Sequence, residues 1–288
     1  MRRMYFIGVT TAASSIHALF PKWTELAGIE GSELVGLDIE PGAPPQAYRE
    51  AMRRLRDDTA AWGALVTTHK TAVYAHARDL FDGFDADAEA LREVSCIVRR
   101  EGRMTGVAID TLTSGLALRQ VTGNGPFQGQ ALIMGAGGAA VALAVHLSRR
   151  HRPSRVILTD VSAGRIVEAS ELAPAECMLV NVPEDHDRIL GAMAEGVLVV
   201  NATGMGKDRP GCPITVQARF PAGSVAWDFN YRGDLLFLEN ARAQGIRAVD
   251  GWEYFLHGWS QIMARVFGFD LTPELFTAMR DEAERWRT

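Results

Sequence analysis

Short apolar runs of strand length alternate with amphipathic stretches of helix length along nearly the whole chain, the pattern of βα units around a mainly parallel sheet. Parallel neighbours need a crossover between them, usually a helix, so the fold class is α/β. In the first part, strands are predicted near Tyr5–Thr10, Leu34–Ile39 and Ala64–Thr67, with helices near Ile16–Ala27, Pro45–Leu55 and Thr71–Phe81. A hairpin-like pair, Cys96–Arg99 and Met104–Val107, turns at Glu101 and Gly102. A second alternating series begins near Gln130 with ALIMGAGGAA and continues through RVILTD, CMLVNV, VLVVNAT and SVAWDFNY. From Gly251 onward the sequence reads as two helices, the second with Thr272 as N-cap and Pro273 at its first position.

A chain of 288 residues, 47% hydrophobic, is long enough for two domains, each with its own core. The boundary is expected between Asp110 and Gly129, within a helix spanning Ser114 to Arg119. That gives residues 1–112, completed by C-terminal helices at 255–288 that pack back on them, and a nucleotide-binding candidate at 113–254.

Charged residues make up 23% and the net charge is −5, with no basic block to neutralise a phosphate backbone. A nucleic-acid partner is therefore not expected, and a small molecule is. The cysteines, Cys96, Cys177 and Cys212, have neither CxxC spacing nor an even count, against a disulfide framework or a structural zinc site. A reducing cytoplasm fits. The start MRRMYFIGVT holds only a strand's length of apolar residues with no signal cleavage region after it. No stretch approaches the roughly 18 apolar residues that a membrane span needs. His17, His69, His76, His146, His151, His186 and His257 form no ligand spacing with acids or cysteines, so no metal is indicated.

The run Gly135-Ala136-Gly137-Gly138-Ala139-Ala140 follows the strand ALIM and opens the helix AAVALAVHLSRR, the context that a pyrophosphate loop requires. Glycines let the backbone approach the phosphates, and the N–H groups at the helix start favour their charge. Asp160 ends the strand RVILT about 20 residues further on, where a carboxylate accepts ribose hydroxyls. It would repel a 2′-phosphate, and Arg165 lies only a turn into the next helix, so NAD is favoured over NADP. The plainer alternative is that Asp160 caps the helix that follows, and the two roles can coexist. Asn201-Ala202-Thr203-Gly204-Met205-Gly206 ends the strand VLVV at the carboxyl edge, where ligands of open α/β sheets bind, or it is a simple strand-to-loop turn.

With these residues assembled, the chain resembles the shikimate dehydrogenase family over nearly its full length. The family has a serine-rich first loop, N-V-T-x-P-x-K, V-N-T, N-T-D, GAGGA and N-A-T-x-x-G-M. This chain has Ser14 and Ser15, then Leu65-Val66-Thr67-Thr68-His69-Lys70, Val94-Ser95-Cys96, Ala108-Ile109-Asp110, the glycine loop and NATGMG. The resemblance implies that Lys70 and Asp110 are the catalytic pair, in a cleft between domains beside the hydroxyl being oxidised. An ammonium held by a carboxylate can orient that oxygen and relay its proton. It further implies that Ser14, Ser15, Thr67, Ser95, Tyr231 and His257 contact the substrate, and that Gly251 joins the cofactor site. Tyr231 enters through Asp228-Phe229-Asn230-Tyr231, matching D-x-x-Y. His257 enters through the Gly251–Gly258 segment, which resembles G-x-x-M-L-x-x-Q-G with His257 near the glutamine.

Each assignment has a plainer alternative. Ser14 and Ser15 can be N-cap residues, Thr67 a strand threonine, Tyr231 a core residue and His257 a histidine satisfied by backbone. Trp252, Tyr254 and Trp259 either narrow the pocket or pack the core. The lysine segment lacks the family's proline and is one residue shorter, Ser95 and Ala108 stand where the family has asparagine, and Ile16 falls on a family serine.

The expected activity is therefore an NAD-dependent oxidoreductase of shikimate dehydrogenase type. It would transfer hydride at a secondary hydroxyl or ketone of a small, cyclic polyhydroxy carboxylic acid, as shikimate and quinate dehydrogenases do, with shikimate itself a poor substrate. Two alternatives are a non-catalytic NAD-dependent sensor, against which the retained Lys70 and Asp110 argue, and methylene-tetrahydrofolate dehydrogenase-like chemistry. Monomer and homodimer fit the sequence equally.

Overall fold

The computed structural model describes residues 1–207 and 209–287. It contains two compact units, Met1–Ile109 with Gly258–Thr288, and Asp110–His257. In the first, the strands are β1 (Arg2–Gly8), β2 (Ser32–Asp38), β3 (Ala61–Val66), β4 (Gly83–Phe84), β5 (Cys96–Arg100) and β6 (Arg103–Val107). They are joined by helices α1 (Ile16–Leu26), α2 (Pro45–Asp57), α3 (Lys70–Ala77) and α4 (Ala86–Leu91). The sheet order is β2-β1-β3-β5-β6-β4. β1 runs parallel to β2 and β3, while β5 is antiparallel to both β3 and β6.

The expected hairpin forms with Glu101 and Gly102 both left-handed, at φ 51° and 77°, as a tight turn between twisted strands demands. β1 begins earlier than its apolar run because Arg3 is neutralised inside the sheet region by Glu33 and Asp58. α3 stops short of the predicted Phe81 and tightens into a 3-10 turn over Arg78–Leu80. α4 is too short to show a period and is fixed by its cap, Asp85, which accepts from the Ala88 N–H at 2.7 Å.

The second unit carries β7 (Gln130–Met134), β8 (Arg155–Asp160), β9 (Glu176–Leu179), β10 (Leu198–Asn201), β11 (Val225–Asp228) and β12 (Arg247–Val249). Its helices are α5 (Asp110–Thr122), α6 (Gly138–Arg150), α7 (Ala163–Leu172), α8 (Pro183–Gly191) and α9 (Leu236–Ala243). The strands pair in the order β12-β11-β10-β7-β8-β9, all parallel. Counted within the unit this is the doubly wound order 3-2-1-4-5-6, whose direction of winding reverses between β7 and β10.

Helix α10 (Trp252–Phe267) begins among residues of the second unit and ends among those of the first, and α11 (Pro273–Glu284) follows. α11 starts as its sequence predicts, with Thr272 Oγ1 accepting from the Leu275 N–H. Residues from 258 onward complete the core of the first unit. Trp259 meets Phe6 edge-on at 4.8 Å, Phe267 lies 6.1 Å from Phe20, and the buried Trp23 indole donates to the Met279 carbonyl at 2.9 Å. Among the described residues no helix is long and apolar enough to cross a membrane.

Candidate active site

The winding reversal in the second unit creates a crevice at the carboxyl ends of β7 and β10. Gly135 leaves β7 at φ 106°, donating to the Thr159 carbonyl at 2.7 Å, while Ala202 N donates to Met134 O at 2.8 Å. The loops after the two strands therefore run against each other. A Cβ at Gly135 would stand 2.7 Å from the Ala202 oxygen, so only glycine fits. A Cβ at Gly137, by contrast, would meet nothing within 4 Å. Gly137 is the N-cap of α6 and brings no side chain to the helix start. This open helix N-terminus, backed by Gly138 and Ala139, fits a dinucleotide's pyrophosphate.

Asp160 is 7% exposed at the end of β8. Its Oδ2 accepts from Ala136 N at 2.8 Å and its Oδ1 from Ser162 N at 2.9 Å. The cap of α7 is Ser162, accepting from Arg165 N, so Asp160 ties the glycine loop to the α7 turn instead of capping the helix. A carboxylate retains lone pairs beyond these two bonds. Arg165 Nη1 lies 3.7 Å from Asp160 Oδ2.

The loop after β10 is held by a buried polar network. Asn201 Nδ2 donates to Asp228 Oδ2 at 2.8 Å and to Met205 O at 3.3 Å, and Asn201 Oδ1 accepts from the N–H and hydroxyl of Thr203. Asn230 donates its backbone N–H to Asp228 Oδ1 and its side chain to Met205 O. Asn201 thus shapes the loop with its side chain, leaving Ala202, Thr203, Gly204 and Met205 as the half-buried surface. Burial pushes the Asp228 carboxyl up to about 6, against the pull of the hydrogen bonds from Asn230 and Asn201. Gly251 donates to Asn230 O at 2.9 Å and packs on the Phe229 carbonyl so closely that no Cβ fits.

In the first unit, Ser14 and Ser15 precede α1 half-buried. Ser14 Oγ accepts from Ile16 N at 3.5 Å, whereas Ser15 makes no cap bond. Thr67 ends the β3 edge with its hydroxyl 3.3 Å from that of Thr68, and Thr68 sits at φ 50°, a costly conformation for a β-branched residue. His69, in the stretch where the resemblance expects a proline, is buried and pins this turn through Nε2 to Ile39 O at 2.8 Å; burial lowers its pKa. Lys70 then opens α3. A cation at a helix N-terminus opposes the dipole, so helix stability does not account for Lys70. Val94 N donates to Lys70 O at 3.1 Å, joining it to the segment that leads through Ser95 into β5. Ser95 is fully buried, its Oγ accepting from Ile109 N at 2.8 Å. The serine is a brace for the chain leading to Asp110.

Asp110 opens α5 and accepts from the Tyr254 hydroxyl at 3.0 Å. Tyr231 is half-buried against Trp252 and Phe255, with ring centroids at 5.3 and 4.7 Å. His257 is buried, its Nε2 3.8 Å from Glu253 Oε2 one turn earlier. Helix periodicity conceals the bond from Tyr254 to Asp110, since the partners are 144 positions apart. Among the described residues no group of three or more His, Cys, Asp or Glu is placed to hold a metal ion.

No protein-family model matches the chain. It is 30% identical over 267 residues to the shikimate dehydrogenase (NADP(+)) of Methylobacterium radiotolerans, covering 88% of this chain and 87% of that one. The shikimate 5-dehydrogenase of Thermus thermophilus in complex with NADP(H) and shikimate superposes with a TM-score of 0.74 at 25% identity, over 99% and 100% of the two chains. The quinate dehydrogenase of Corynebacterium glutamicum in complex with NAD shares the fold, with a TM-score of 0.74 at 21% identity over 99% of each chain.

Proposed function

The chain belongs to the shikimate dehydrogenase family, dehydrogenases acting on CH–OH groups, and we propose that it transfers hydride between NAD and a small polyhydroxy carboxylic acid other than shikimate. The observation that carries the cofactor reading is Asp160, buried at the end of β8 and bonded to the glycine loop. A fixed carboxylate there favours ribose hydroxyls and disfavours a 2′-phosphate, even though the Methylobacterium relative is named for NADP(+).

A bound nicotinamide would supply the hydride acceptor for the carbinol hydrogen. The hydroxyl hydrogen leaves as a proton, and in this reading Lys70 and Asp110 handle it. The ammonium donates to the substrate oxygen and the carboxylate receives the proton, which passes to water. Ser14, Ser15 and Thr67 offer hydroxyls for the substrate's oxygens, with Tyr231 and His257 as further contacts. Ser95 spends its hydroxyl on backbone, and the buried Ala108 brings no amide, so the chain offers less hydrogen bonding there than an asparagine pair would. That difference is the basis for placing shikimate outside the preferred substrates.

The test is a panel of shikimate, quinate and other polyol acids, with NAD+ and NADP+, followed by nicotinamide absorbance. We expect kcat/KM with NAD+ to exceed that with NADP+ at least about tenfold, equivalent to about 1.4 kcal/mol. We also expect Lys70→Ala and Asp110→Asn each to lower turnover about a hundredfold or more with dinucleotide binding intact. Equal use of NADP+, or shikimate as good as every other acid, overturns the respective part.

A further inference from the structure

Asp110 is 4% exposed, and within the second unit its Oδ2 is taken by the phenol of Tyr254, in the first turn of α10. Tyr254 reaches that carboxylate from a constrained position. Its ring stacks on Phe229 at 4.6 Å and 28°, and meets the buried Trp227 edge-on at 6.4 Å. Just before the helix, Gly251 is bonded to Asn230 O and pressed against the Phe229 carbonyl. Phe229 N in turn donates to the carbonyl of Asn201, which begins the loop after β10. The phenol is thus set in place by the same strand ends that carry the dinucleotide loop, and a tyrosine ring has few rotamers to lose on being held there.

We infer that Tyr254 is a positioning residue for the reaction, orienting the Asp110 carboxylate relative to the strand ends that carry the dinucleotide loop. The inference rests on the proposed role of Asp110. With Oδ2 engaged by a neutral O–H donor, the carboxylate is restrained in its rotation. The tyrosine itself exchanges no proton with substrate; it acts through Asp110. Loss of the hydroxyl removes this restraint on the terminal torsion, which is intrinsically broad, and the aligned arrangement becomes a smaller fraction of those populated.

The experiment compares wild type, Tyr254→Phe and Asp110→Asn in the full chain, with shikimate and quinate as probes and both NAD+ and NADP+. Tyr254→Phe keeps the stacked ring. It is expected to lower kcat about tenfold, with KM for both reactants within about twofold and an unchanged melting temperature. The solvent isotope effect on kcat should rise and the effect of deuterium at the carbinol carbon should fall, because proton transfer becomes the slower step. Phe229→Leu removes the stacking platform but keeps the phenol, and should give a smaller loss with the same isotope pattern. Wild-type kcat and isotope effects in Tyr254→Phe, with Asp110→Asn inactive, overturn the role of Tyr254 alone. So does a loss that comes with weaker dinucleotide binding or a lower melting temperature, which marks a structural part. Wild-type turnover in Asp110→Asn overturns the assignment of Asp110 and the inference with it.

Discussion

Gly135 and Gly137 are two residues apart in one loop, yet their side chains are missing for different reasons. At Gly135 the backbone is left-handed and a Cβ would press on the Ala202 oxygen at 2.7 Å. Gly135→Ala should therefore cost about 2–4 kcal/mol in a denaturant melt and abolish dinucleotide binding. At Gly137 a Cβ meets no protein atom, so Gly137→Ala should melt like wild type. If the pyrophosphate lies there, its dinucleotide Kd, read by calorimetry, rises about tenfold or more; an unchanged Kd would remove the phosphates from that helix start. Asp228 carries a pH signature. Its folded carboxyl, raised to about 6 from 3.8, contributes its full stability below about pH 4 and loses it as pH climbs through 6. The loss amounts to at most about 3 kcal/mol. Asp228→Asn cannot ionise, so the stability gap between mutant and wild type should shift toward the mutant between pH 4.5 and 7.5. A gap constant across that window contradicts a buried, reluctantly ionised carboxyl.

Among the elements, α11 depends on one anchoring contact that its own sequence does not reveal. The Trp23 indole, at the buried face of α1, donates to the carbonyl of Met279. Trp23→Phe leaves that carbonyl unpaired and should cost about 1–3 kcal/mol, with hydrogen exchange accelerated first in Pro273–Glu284. Exchange that quickens uniformly over the unit would place the loss elsewhere. The start of α11 was legible because a cap is local chemistry: Thr272 and Pro273 are adjacent to what they cap. The early end of α3 and the existence of the three-residue β12 were not, because both are set by what the chain packs against and neither is long enough to show a period.

For the whole molecule, the two units differ in chain continuity. Asp110–His257 is one uninterrupted segment with a complete parallel sheet and a core of its own around Leu132, Val199, Ala226 and Phe237. The other unit takes its final share of core from residues 258 onward. Expressed separately, residues 110–257 should melt cooperatively. Residues 1–109 should not, until residues 258–288 are supplied in trans or by circular permutation. A cooperative transition in 1–109 alone would mean that Trp259, Phe267 and Met279 add little to that core.

The α/β class, the glycine turn with its downstream Asp160, and the position of Lys70 at a helix start could all be read from the chain, since each depends on neighbours within a few residues or on a repeated period. The folded chain alone set what Asp160, Ser95, Asn201 and Tyr254 do with their polar atoms. Asp160 braces the glycine loop, Ser95 a backbone N–H, Asn201 its own loop, and Tyr254 a carboxylate brought near from far along the chain. A hydrogen bond is satisfied by whichever group lies within about 3 Å, and over long separations the packing of the sheet and helices chooses that group.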